Sequence, residues 1–150
     1  MKSLEVLNLY PQHKGTLSSL LESRTHKNPK KECLLFENKR SWSWKEFYSW
    51  VAGLSHFLLK KQIQKGARIV TILPNSDLSV ALYFAINDQS AINVPLNPDL
   101  TAEEYAYLLN HVEASIVIIN ENLKEKISKI IGPANLLVVD DELYKLRAPK

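Results

Sequence analysis

The sequence predicts an α/β protein in which an N-terminal helix and a β-hairpin precede a mainly parallel β-sheet. Beyond the hairpin, short runs of Val, Ile and Leu alternate with segments whose apolar residues recur at helical spacing, which gives the order βαβαβαβ. Polar residues suited to helix capping stand before several of these segments. Because parallel strands need crossover connections, we expect right-handed crossovers with helices covering the sheet.

The composition is typical of one globular domain, to which we assign residues 1–150. Hydrophobic residues make up 45% of the chain and charged residues 23%, which argues against a disordered chain. A chain of this length can bury about 70% of the surface that its unfolded form exposes. The single cysteine, Cys33, excludes a disulfide scaffold. We expect it to be a small buried hydrophobe in a cytoplasmic protein.

The net charge of +3 does not indicate a nucleic-acid partner. The basic excess lies beside predicted turns, where side chains usually face solvent. These residues are Lys27, Lys30, Lys31, Lys39 and Arg40. Residues 1–10 contain neither a long apolar core nor a small-residue cleavage site, so we expect no signal peptide and no transmembrane segment.

The first predicted helix begins after Thr16, whose hydroxyl can cap it. Its apolar face consists of Leu17, Leu20 and Leu21, and Asn28-Pro29 ends it. The spacing therefore predicts a short helix that docks on the rest of the domain.

A β-hairpin and a long helix follow. Residues 33–36 and 41–44 read as strands joined by a polar turn. Ser43 and Glu46 have capping-box spacing, so a helix should begin near Trp44, and Lys65-Gly66 ends that segment. Its inward residues are Phe47, Trp50, Val51, Leu54, Phe57 and Leu58. Helical periodicity explains these side chains as core rather than as a ligand pocket.

Four apolar runs predict the strands of the parallel sheet. They cover residues 68–73, 91–94, 115–119 and 136–139. Helices are predicted over 77–87, after a capping box of Thr101 and Glu104, and over 121–131. The helix over 77–87 has almost no polar face, so we expect it to be covered on most sides. The tail over 140–150 offers nothing to complete a domain.

No arrangement of residues predicts a reactive site. The four glycines lie too far apart for a phosphate-binding loop, and the four histidines show no metal-ligand spacing. The histidines are His13, His26, His56 and His111. Asp140-Asp141-Glu142 could suggest a receiver-type magnesium site, but such a domain would need most of its fold after these acids. A helix N-terminus or a solvated turn explains them better. We assign no catalytic, cofactor-binding or metal-binding residue.

Five short strings carry a resemblance to a known family. They are SWSWKEF at 41–47, KGARI at 65–69, LPNS at 73–76, NVPLNP at 93–98 and LTAEE at 100–104. Because the five strings occur in this order, the segment from Thr16 to about Ile119 resembles the N-terminal part of the adenylate-forming superfamily. This superfamily includes acyl-CoA synthetases, luciferases and peptide-synthetase adenylation domains. The resemblance implies part of the large N-terminal domain of such enzymes.

Three positions depart from the family pattern. Ala67 replaces the usual Asp, and residues 88–90 (DQS) stand where a Lys-Ala-Gly type of turn is common. Asp99 stands where relatives are often basic or aromatic, which weakens any assignment of a CoA contact to this segment.

The resemblance implies an ATP-dependent acid–CoA or acid–carrier ligase that forms an acyl-adenylate. ATP and magnesium are implied for the complete enzyme and CoA is possible, but we expect none to be bound by this segment alone. The phosphate loop and the catalytic Lys would lie downstream, so the expected partner is the remainder of the ligase, in the same chain or a companion chain.

Two alternatives to a ligase fragment are compatible with the same sequence. A non-catalytic docking module or split subunit would use the apolar helix over 77–87 to bind a partner that carries the remaining motifs. A small flavodoxin-like nucleotide binder would use the same alternation of strands and helices, but no phosphate loop supports it.

Overall fold

A computed structural model of the chain describes residues 15–37 and 40–149. The helices are α1 Leu17–Lys27, α2 Trp44–Leu59, α3 Asp77–Asp88, α4 Ala102–His111, α5 Lys124–Ser128 and α6 Asp141–Lys145. The strands are β1 Glu32–Phe36, β2 Arg40–Ser43, β3 Arg68–Ile72, β4 Ile92–Pro95, β5 Ile116–Ile119 and β6 Leu136–Val138. Short 3-10 turns cover Glu121–Leu123 and Pro133–Asn135. The predicted α/β architecture is confirmed.

Strands β3 to β6 form one parallel sheet in the order β4-β3-β5-β6, and β1 pairs with β2 in a separate antiparallel hairpin. Val70 at the centre of β3 lies opposite Val94 on one side and Val117 on the other. One face of the sheet packs against α2 and α3, and the other against α4 and α5. The sheet is therefore the middle of three layers.

Capping boxes begin three of the helices. Ser43 with Glu46 and Thr101 with Glu104 confirm the two boxes predicted from spacing. Ser76 forms a third box with Ser79, where a hydroxyl replaces the usual carboxylate. Hydrogen bonds from the side chain and the backbone of Ser43 hold the pKa of Glu46 below its usual value.

Several helices differ from their predicted extents. Helix α2 ends at Leu59 rather than at Lys65-Gly66. Gly66 instead has φ +78° in the turn that leads into β3. The predicted helix over 121–131 is a 3-10 turn followed by only five helical residues. Leu20 was predicted to face inward but is 47% exposed, because α1 buries only Leu21 fully.

Helix α3 is covered less completely than its composition predicts. Leu78, Ala81 and Leu82 are buried, but Val80 and Tyr83 are 38% and 45% exposed. One face of an almost entirely apolar helix therefore remains in contact with solvent.

The tail, which was predicted to offer nothing to complete a domain, packs against the core of the described chain. Its helix α6 buries Leu143, whose carbonyl oxygen accepts a 2.8 Å hydrogen bond from the indole nitrogen of Trp50. The ring of Tyr144 stacks on Trp50 with centroids 5.4 Å apart. At Gly53 of α2 the tail backbone comes so close that an added Cβ would lie 2.5 Å from the nitrogen of Arg147. The tail therefore closes the core over α2.

A buried carboxylate joins the hairpin to α3. Asp77 is 1% exposed and accepts hydrogen bonds from Arg40 Nη2 at 2.9 Å, Trp42 Nε1 at 3.0 Å and the amide of Leu78 at 3.0 Å. Arg40 was predicted to belong to a solvated face, but its guanidinium also lies 4.7 Å from the ring centre of Tyr144. Burying an ionised carboxylate requires such partners. The Arg40 side chain is nevertheless 43% exposed, which agrees with the predicted solvated face.

Cys33 and the described histidines lie outside reactive clusters. Cys33 is half-buried rather than fully buried, and burial raises the pKa of its thiol to about 11. His26 and His56 are exposed. His111 is the last residue of α4, where a partly positive side chain is favoured. His13 and Lys39 lie outside the described residues.

Ser90 carries a conformational cost at one of the departures from the family strings. Its φ is +56°, in the left-handed region that favours glycine, and it follows directly after the α3 C-cap residue Gln89. Its carbonyl oxygen accepts a 2.8 Å hydrogen bond from the amide of Gly66, which fixes the turn. A non-glycine residue in this conformation costs about 1–2 kcal/mol.

Replacing Gly53 with Ala should destabilise the chain by about 1–3 kcal/mol, because overpacking against the Arg147 backbone outweighs the helical preference of Ala. Gly132→Ala is the control, since no atom lies within 4 Å of its added Cβ. Urea unfolding followed by tryptophan fluorescence measures both variants. Equal stability of the two would contradict the close packing of the tail.

Replacing Arg40 with Met should lower the free energy of unfolding by about 2–3 kcal/mol, because Asp77 loses its charged donor. The matched control is Arg68→Met, which removes the exposed 3.0 Å ion pair with Glu113 and should cost less than about 1 kcal/mol. Urea unfolding at neutral pH tests this difference, and equal losses would refute the role of Asp77.

Ser90→Gly should raise the free energy of unfolding by about 1 kcal/mol, since glycine adopts a positive φ without steric cost. Thermal unfolding by calorimetry measures the gain. A lower midpoint than that of the unsubstituted chain would contradict the left-handed conformation of Ser90.

Candidate functional site

The carboxyl ends of the parallel strands form the candidate site. In open α/β sheets, ligands bind outside these ends, at the point where neighbouring strands connect in opposite directions. Here β3 connects through α3 to β4 on one side, whereas the chain returns through α4 to β5 on the other side. The switch point therefore lies between the ends of β3 and β5.

The loop after β3 contains the LPNS string. Ser76 Oγ accepts a 3.1 Å hydrogen bond from the Ser79 amide, and Ser79 Oγ accepts one of 3.0 Å from the Ser76 amide. Asn75 is exposed at the turn. Because the Ser76 hydroxyl caps α3 and the next residue is the buried Asp77, this loop is held rigidly at the edge of the sheet.

The loop after β4 contains the VPLNP string. Asn97 Oδ1 accepts a 3.0 Å hydrogen bond from the Asp99 amide, which forms a local turn. The buried Tyr105 donates from Oη to the Asn97 carbonyl oxygen at 2.8 Å, and burial raises the pKa of this phenol above its usual value. The hydrogen bond from Tyr105 therefore holds the loop against α4. The carboxylate of Asp99 is exposed on the loop.

The loops after β5 and β6 complete the edge. Asn120 precedes the 3-10 turn without a side-chain cap bond. Asp140 Oδ1 accepts hydrogen bonds from the amides of Glu142 and Leu143 at 3.1 and 3.3 Å. The interpretation of Asp140-Asp141-Glu142 as a helix N-terminus is thus confirmed, because these acids begin α6.

The arrangement can position a ligand or another segment of protein, and the hydroxyls and the buried carboxylate next to it are engaged in the scaffold. Across residues 15–37 and 40–149, no three His, Cys, Asp or Glu side chains are grouped to hold a metal ion. The hydroxyls of Ser76 and Thr101 are helix caps. Sequence reasoning placed the loops correctly but missed Asp77, since a first-turn acid usually serves only the helix that it begins.

The chain was also compared with known proteins. The family of AMP-binding enzymes matches residues 21–148. Tyrocidine synthase 2 of Brevibacillus parabrevis is 28% identical over 85% of this chain and 4% of its own length. A long-chain-fatty-acid–CoA ligase of Bacillus subtilis is 29% identical over 89% of this chain and 23% of its own. The crystal structure of VinN shares the fold with a TM-score of 0.81 at 21% identity, over 89% of this chain and 34% of that chain.

The chain therefore spans less than a quarter of each of these two curated relatives. No helix among the described residues is long and apolar enough to cross a membrane. Because the family match covers most of the sequence and the fold agrees with it, the chain belongs to the family of AMP-binding enzymes.

Proposed function

We propose that this chain is the N-terminal part of an ATP-dependent ligase that activates a carboxylic acid as its acyl-adenylate and passes it to CoA or to a carrier. The observation that carries this proposal is the family match over residues 21–148. The relatives support it because one is a long-chain-fatty-acid–CoA ligase and another is tyrocidine synthase 2. In this proposal residues 1–150 are part of one larger domain, cut before its phosphate loop.

The described residues do not fit ATP by themselves. Formation of an acyl-adenylate needs cationic or backbone donors around the phosphates and usually magnesium. At the carboxyl edge the exposed carboxylate of Asp99 is negative, and the hydroxyls of Ser76 and Thr101 already cap helices. We therefore assign no catalytic, cofactor-binding or metal-binding residue here, and the isolated chain should be inactive.

In the proposed enzyme this chain serves as scaffold. The loops after β3 and β4 are fixed by capping bonds and by Tyr105, so they offer a rigid edge against which the remainder of the ligase can pack. Such support matters because catalytic groups must be held to within a fraction of an ångström. The partner is therefore the remaining part of the ligase, in the same chain or in a companion chain.

A docking module is the second candidate, and one observation favours it. Val80 and Tyr83 leave an apolar face of α3 exposed. In this version the 150-residue chain is a subunit of its own, which binds a partner that carries the remaining motifs. Both versions place the reaction in residues outside this segment. They differ in whether those residues belong to the same polypeptide or to a second one.

The isolated chain should bind no MgATP in isothermal titration calorimetry up to about 1 mM nucleotide, the upper range of ordinary substrate affinities. Magnesium-dependent binding that saturates below this concentration would contradict the proposal, because it would place the phosphate-binding residues within this chain. A complete acyl-CoA ligase of the family is the positive control.

An antibody against this segment should capture from source cells a polypeptide several times larger than 17.1 kDa. The captured protein should catalyse exchange of pyrophosphate into ATP that depends on a fatty, aryl or amino acid. Capture of a 17.1 kDa chain together with a second polypeptide would favour the docking module. Absence of exchange with all three acid classes would overturn the proposed ligase activity.

A further inference from the structure

The parallel sheet has an open side along β6, which pairs only with β5 among the described strands. The amide of Val139 donates to the Ile119 carbonyl oxygen at 2.8 Å, so the backbone groups of Val139 and Leu137 point toward β5. Because successive residues of a strand point to alternate sides, the amide and carbonyl of Val138 point away from the sheet. Within residues 15–37 and 40–149, no hydrogen bond reaches these two groups.

The side chains of β6 are apolar on both faces of the sheet. Leu137 and Val139 pack in the core beside α2 and α3, and Leu136 and Val138 pack in the core beside α4 and α5. All four are half-buried. Apolar residues on both faces are typical of an interior strand of a parallel sheet, whereas edge strands usually carry a charge, a proline or a bulge that prevents further pairing. Strand β6 has none of these features and is therefore built like an interior strand.

Strand β4, at the opposite side of the sheet, is built differently. The amide of Leu96, the residue after β4, donates to the Thr71 carbonyl oxygen at 2.9 Å, so the backbone groups of Asn93 and Pro95 point away from β3. Pro95 has no amide hydrogen to offer a further strand, and proline within sheets is confined mainly to edge strands. The two sides of the sheet are therefore not equivalent, and only β6 lacks protection against further pairing.

We propose that a β-strand from the remainder of the ligase pairs with β6 and continues the sheet. The proposal rests on the proposed function, in which residues 1–150 are part of a larger enzyme. The lengths of the relatives support it, because this chain covers only 34% of VinN and 23% of the long-chain-fatty-acid–CoA ligase. The added strand bonds to the backbone of Val138. Its side chains beside Leu137 and Val138 are apolar, because both faces of β6 already pack against helices.

Amide hydrogen exchange, read at single residues by mass spectrometry, tests this pairing. The isolated 150-residue chain is compared with the larger polypeptide or complex captured by the antibody. The Val138 amide should exchange at least about 100-fold more slowly in the captured protein, because a bonded amide exchanges only when the structure opens. Two amides are internal controls. That of Val139, already bonded to Ile119, should exchange slowly in both samples, and that of Asn93 should exchange fast in both.

Fast exchange of Val138 in the captured protein, with Val139 slow, would overturn the strand at β6. Slowing of Asn93 alone would also overturn it, because the added strand would then lie at β4. Slowing of Val138 that is lost on dilution would indicate a second copy of the chain instead. Acid-dependent pyrophosphate exchange in the same preparation tests the ligase activity separately. A protected Val138 without this activity would refute the ligase and support the strand, and the reverse result would refute the strand alone.

A pair of variants tests the same bond by stability. Val138→Pro removes the outward amide, and Val138→Ala is the control for the lost packing. In the complete protein Val138→Pro should unfold about 2–4 °C below Val138→Ala, the shift expected for one lost hydrogen bond. In the isolated chain the two variants should unfold at the same temperature, since proline is tolerated where no strand follows. Equal midpoints in the complete protein would contradict the pairing. If Val138→Pro does not fold, hydrogen exchange of the unsubstituted protein decides.

Discussion

The fold depends on the burial of one negative charge. The Asp77 carboxylate begins α3 inside the protein, and an unpaired charge there would cost several kcal/mol. Arg40 and Trp42 of the hairpin supply its donors, so the hairpin must lie against the start of α3. Because Arg40 also contacts the ring of Tyr144, the same interaction extends to the tail. Three segments that are distant in sequence are thus fixed by one carboxylate.

Aromatic stacking continues this junction into the core. Trp42 stacks on Trp50 with ring centres 4.4 Å apart, and Trp50 also contacts the rings of Phe47 and Tyr144. The tail is also held by the Trp50 bond to the Leu143 carbonyl oxygen. The tail backbone can lie against Gly53 only because glycine has no side chain. Ring stacking, the Trp50 hydrogen bond and close backbone packing therefore all hold the tail against α2.

This organisation separates scaffold from chemistry. The hydroxyls of Ser76 and Thr101 cap helices, which gives a rigid edge. Asp88 and Asp99 add negative charge at two of the positions that depart from the expected family pattern. In the proposed function, the substrate contacts come from other segments of the enzyme.

The sequence by itself determined the features that depend on neighbours within a few residues. Helical periodicity, the capping boxes at Ser43 and Thr101 and the β-branched runs gave the order of elements and the loops of the candidate site. Tertiary structure alone decided that Arg40 meets Asp77, 37 residues away, and that Trp50 meets Leu143, 93 residues away. No local pattern encodes such contacts, because they arise only when layers pack and a buried charge or indole needs a partner.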